Sequence, residues 1–173
     1  MRTAATGCPH GPSGDYNAAV RREHLIETLR AAPALLEELV RATPPERIRL
    51  RPADGKWSVH EHVCHLAAVG PLFSDRLTLM LAENNPAIVP YEPPPDEQAG
   101  SLLERDLEAE MRRFAEDRAR LVHRLERLSE AEWRRTAQHG GYTEYDVHIM
   151  FRHVMMHDQL HAYRIEQLAL TRQ

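Results

Sequence analysis

The chain has 173 residues with 22 Lys and Arg against 26 Asp and Glu, a net charge of −4 and an isoelectric point near 6.3. That size is one domain with room for a real core, and the acidic balance argues against a nucleic-acid footprint. Two cysteines, Cys8 and Cys64, cannot build a disulfide framework, so a reducing cytoplasm is expected.

No run of about 18 apolar residues occurs, so no membrane span is expected. Lys56 is the only lysine, so the cations are nearly all arginine. Residues 1–15 are rich in Gly, Pro and Ser and read as a mobile tail, followed by one domain over 16–173.

The first helical segment is expected from about Tyr16 to Ala42, with Leu25, Leu29, Ala32, Leu36 and Leu39 at helical spacing. Pro33 should bend it, and Thr43-Pro44-Pro45 should end it. The second begins at Ser58, with Glu61 three residues on to close a capping box. Val59, Val63, Leu66, Phe73 and Leu77 form its stripe, Gly70-Pro71 predicts a kink, and it ends near Glu83. The Pro-rich connection 84–100 is long for a helix–helix loop and should pack across the bundle or cover a site.

The third segment, about Ser101 to Leu128, carries Leu103, Leu107, Met111, Phe114, Leu121, Leu125 and Leu128 in a near-heptad seam. A short turn capped by Ser129 and a Gly140-Gly141 turn precede the last helix, about Thr143 to Leu170. Its apolar positions are Ile149, Met150, Leu160 and Leu168. No strand, repeat or phosphate loop stands out, so the pattern is all-α, an antiparallel four-helix bundle with a long Pro-rich connection between helices 2 and 3.

Of 11 histidines, eight lie between Trp57 and Leu66 or between His139 and His161. Neutral imidazole is the commonest protein metal ligand, and two histidines four apart on a helix share one face. At about 100° per residue, His153, His157 and His161 fall within the apolar sector of the last helix. Histidines facing a core are costly unless each ring nitrogen finds a partner, and a metal would supply one. On the second helix His62 lies nearer the centre of the apolar stripe than His65, so periodicity slightly favours His62.

The segment Lys56-Trp57-Ser58-Val59-x-Glu61-x-Val63-x-His65-Leu66 resembles the second-helix signature of the DinB/YfiT-like superfamily. His139-Gly140-Gly141-Tyr142-Thr143, then His157-Asp158-x-x-His161-x-x-x-Ile165, is similar to its fourth-helix region, and the resemblance spans about residues 18–170. It implies a four-helix bundle that binds one divalent ion through His65, His157 and His161. Pro71 and the extra His60, His62 and His153 depart from that pattern, which leaves open whether His62 or His153 joins or replaces a ligand.

Three imidazoles favour Zn²⁺, Ni²⁺ or Fe²⁺ over Mg²⁺ or Ca²⁺ and leave an open coordination position. The expected function is metal-dependent hydrolysis or thiol-dependent S-transfer on a small molecule, the latter with a low-molecular-weight thiol as co-substrate. The alternative is a non-catalytic metal-binding stress-response protein. Glu61, Asp158 and Glu144 are candidates for orienting ligand rings or shuttling protons, although a helical wheel turns Asp158 away from the site. His62 and His153 are candidates for supporting the ligands, and Arg164, near His161 on the same face, for binding a substrate anion. Trp57 and Trp133 read as packing anchors, and Cys64 as a small buried residue. The resemblance also implies a homodimer.

Overall fold

The computed structural model describes residues 20–52 and 56–170, with the side chains of residues 96 and 98 left aside. The tail expected over 1–15, with Cys8, and the expected start at Tyr16 fall outside the described residues.

The first helix, α1, covers Arg22–Ala42 and buries Leu25, Leu29, Ala32, Leu36 and Val40, one stripe at helical spacing. It runs unbroken through Pro33. Its end is set by Thr43, whose hydroxyl donates back to the Leu39 carbonyl at 2.8 Å, and by the two prolines that follow. Pro45–Ile48 forms a single turn, α2.

The second long helix, α3, covers Val59–Ala82 and also runs through its proline, Pro71. Its start is the expected capping box. The Glu61 amide donates to Ser58 Oγ at 3.3 Å, and the Ser58 amide donates to Glu61 Oε2 at 2.9 Å. Both residues are wholly buried. Ser58→Ala is therefore expected to lower stability by roughly 1–2 kcal/mol, shifting the melting temperature down by several degrees, with Ser58→Thr retaining most of it. Thermal denaturation of the two variants checks this; an unchanged midpoint for the alanine variant would remove the cap from the account.

The connection after α3 is not a structureless loop. It contains the strand β1 (Ala87–Ile88), the short helix α4 (Pro95–Ala99) and a 3-10 turn over Ser101–Glu104. Strand β1 pairs in parallel with β2 (Gln138–His139), in the register Ala87 to Gln138 and Ile88 to His139. Two-residue strands are too short to leave an alternating pattern in the sequence.

The third long helix, α5, covers Leu107–Leu125, a shorter span than the seam suggested. Asp106 is its cap, accepting from the Ala109 amide at 2.7 Å, and this separates the preceding turn from the helix. A capped turn, α6 (Glu130–Trp133), follows, with Ser129 and Glu132 forming a second capping box. The last helix, α7, covers Val147–Leu170. Leu160, read with its apolar positions, is instead 51% exposed.

The four long helices α1, α3, α5 and α7 form the bundle expected. Each of α1 and α3 packs against both α5 and α7. One core cluster includes Leu25, Leu29, Leu77, Leu121, Met150 and Phe151; the other includes Leu36, Val59, Val63, Leu66, Phe114 and Ile165. No helix among the described residues is long and apolar enough to cross a membrane.

Candidate metal centre

The α3–α7 interface gathers the histidines. His65, on the second turn of α3, is 4% exposed, and His161, on α7, is 8% exposed. His157 stands one turn before His161 and is the most open of the three, its side chain 29% exposed. One ring nitrogen from each of His65, His157 and His161 lies within 4.8 Å of the other two. His65 Nε2 and His157 Nε2 are 3.3 Å apart. Two nitrogens bound to one tetrahedral Zn²⁺ at about 2.0–2.1 Å stand roughly 3.3–3.4 Å from each other, so this pair has the spacing of two ligands.

The electrostatics suit ligands. Burial pushes His65 protonation down to about 3, with His157 and His62 beside it adding to the effect. Burial likewise takes His161 to about 2, and His157, His62, His65 and Arg164 add their repulsion. Both rings are therefore neutral at physiological pH, the form that binds a cation. Buried His157 Nδ1 finds no hydrogen-bond partner among the described residues.

Two further groups contact the rings of this cluster. His62 Nδ1 lies 2.9 Å from His161 Nδ1, which leaves the Nε2 of His161 for other work. Burial and the charge of Arg164 lower His62 to about 4, so it too is neutral. Glu97, on α4, places Oε2 3.2 Å from His65 Nδ1. The residue was not singled out in the sequence, where it is one acidic residue in a Pro-rich stretch. The available signal was coarse: that connection was expected to cover a site. Trp57 lies on the cluster, its ring centroid 4.7 Å from that of His65 and 6.2 Å from that of His161. It packs, as expected of an anchor, but against the site.

The other sequence candidates lie elsewhere. His153 is half-buried beside Tyr142, ring centroids 4.8 Å apart, outside the three-nitrogen group. His60 is buried, with Nδ1 3.3 Å from Arg49 Nη1. The Glu61 carboxylate is occupied by the α3 cap and by Arg51, whose Nε reaches both oxygens at 3.0 Å. Asp158 is buried and receives Arg118 through two hydrogen bonds, of 2.9 and 2.6 Å; its Oδ1 stands 4.0 Å from His157 Nδ1. Glu144 is exposed. Arg164 is exposed and donates to Gln167 Oε1 at 3.2 Å. Cys64 is fully buried, and burial together with the Glu110 charge pushes its thiol up to about 12, so it stays protonated.

Comparison with curated proteins returned no match. Among solved structures, YfiT from Bacillus subtilis, described as a probable metal-dependent hydrolase with an unusual four-helix bundle topology, superposes with a TM-score of 0.76 at 23% identity. The match covers 87% of this chain and 89% of YfiT, and at that identity it speaks for the fold. The DinB superfamily profile matches residues 28–165, most of the four-helix bundle and all of the histidine cluster. The chain belongs to the DinB superfamily.

Proposed function

We propose that the protein is a metal-dependent enzyme of hydrolytic type, acting on a small molecule at one divalent ion held by His65, His157 and His161. The observation that carries this is the convergence of three imidazoles from two neighbouring helices, two of them, His65 and His161, held neutral by burial. An all-nitrogen set favours Zn²⁺, Ni²⁺ or Fe²⁺, and three neutral ligands leave the ion its charge and an open position. The chemistry supplied by a bound ion of this kind is Lewis acidity, which makes a water or a thiol easier to deprotonate. The description of YfiT as a probable metal-dependent hydrolase supports the reading.

The surrounding residues have definable parts. His157, the open member, sets the side from which a substrate arrives. Trp57 covers the rings on another side and keeps water off them. His62 is a neutral imidazole next to the cluster, 2.9 Å from His161 and placed to orient its ring. Arg164, whose charge already acts on His62 and His161, suits an anionic group on the substrate. The same open position would accept a low-molecular-weight thiol, giving S-transfer in place of hydrolysis, as the sequence resemblance implies.

Elemental analysis tests the site. One divalent ion per chain is expected in the wild type and none in His65→Ala, His157→Ala or His161→Ala. Turnover of an ester and amide panel should stop on chelation and return with metal; turnover only with added thiol would select the transferase route. A metal-free wild type, or variants that keep their metal, would defeat the proposal. Metal without any turnover would leave the non-catalytic alternative.

A further inference from the structure

We infer that Glu97 is the positioning carboxylate of His65, so that the connection between α3 and α5 is part of the metal centre as well as a cover over it. The inference rests on the metal reading above.

Glu97 is 5% exposed, and a carboxylate that deep is costly unless its oxygens are matched. Oε2 faces His65 Nδ1 at 3.2 Å, and Oε1 accepts from the Tyr91 hydroxyl at 3.5 Å. An acceptor at Nδ1 draws the proton of a neutral imidazole to that nitrogen and leaves the Nε2 lone pair free. Nε2 is the nitrogen that faces His157. Glu97 thus selects the tautomer of His65 that can bind metal and fixes the plane of the ring. Of the three carboxylates that the sequence singles out, Glu61 and Asp158 are committed to Arg51 and Arg118, and Glu144 is exposed.

The segment carrying Glu97 is tied to the start of the helix carrying His65. Gly100, which follows α4, has φ 110°, and a Cβ there would stand 3.3 Å from Arg51 Nη2. Arg51 also holds Glu61 at the α3 cap. Arg49 Nη2 donates to the Leu103 carbonyl at 2.7 Å. Carboxylate and ligand are therefore set by one local frame.

The test uses the full chain with zinc as the probe. Long-range ¹⁵N–¹H correlation spectra of the metal-free protein should show His65 protonated at Nδ1 in the wild type and in Glu97→Gln, whose amide oxygen still accepts. Glu97→Ala should lose that preference. Zinc affinity, measured by competition with a chromophoric chelator, should fall about 10–100-fold in Glu97→Ala and less in Glu97→Gln, with unchanged circular dichroism. Wild-type zinc affinity in Glu97→Ala, or His65 protonated at Nε2 in the wild type, overturns the inference and leaves the metal reading standing. A wild type that binds no zinc overturns both.

Discussion

Asp158→Ala is expected to cost roughly 3–5 kcal/mol of folding stability, the largest effect of any single substitution considered for this chain. Arg118 is 1% exposed and Asp158 4% exposed, and they meet through two hydrogen bonds between α5 and α7. Removing the carboxylate leaves a guanidinium in the bundle interior against Phe114, 4.8 Å from its ring centre, with no opposite charge. An unpaired buried charge is far more costly than the pair. The double variant Arg118→Met with Asp158→Leu should recover most of the loss, because the desolvation cost goes with the charges. Urea denaturation of the single and double variants measures this. A single variant within about 0.5 kcal/mol of wild type would mean that water reaches the pair. Metal content separates this from the site: the folded single variant should still bind zinc, since Asp158 Oδ1 is 4.0 Å from His157 Nδ1 and belongs to Arg118.

Zinc at about 100 times its dissociation constant should stabilise the wild type by about 2.7 kcal/mol, because a ligand of the folded state alone shifts the equilibrium by mass action. At roughly 2–4 °C per kcal/mol for a chain of this size, the melting temperature should rise by about 5–11 °C. His161→Ala should abolish the rise, as should His157→Ala and His65→Ala, since each contributes one of the three convergent nitrogens. His62→Ala should keep most of it, because His62 lies outside the three-nitrogen group and meets His161 through Nδ1, at 2.9 Å. A scan with and without zinc decides it. A full rise in His161→Ala, or none in wild type, would count against a three-histidine centre; loss in His62→Ala as complete as in His161→Ala would make His62 a ligand.

Much of the bundle was legible because its signals are local. Ser58 and Glu61, three residues apart, announce the start of α3, and Ser129 and Glu132 do the same for α6. Leu25, Leu29, Ala32 and Leu36 repeat at the helical period that α1 buries. The helices α1 and α3 continue through Pro33 and Pro71, since packing along a long helix offsets one lost amide donor. The start of α5 was misjudged because Leu103 continues the seam numerically, while Asp106 caps the helix after it.

The sequence by itself determined the four amphipathic helices and put His157 and His161 on one face of the last, because a helix's own period relates residues one turn apart. It did not determine which histidine of α3 meets them: periodicity leaned to His62, and the structure brings His65 Nε2 to His157 and sets His62 against His161. That choice belongs to the rotation and height of α3 against α7, which no single helix encodes. Glu97 reaches His65 from 32 residues away for the same reason. Contacts within a turn follow from local geometry, and contacts between elements exist only once packing has chosen their alignment.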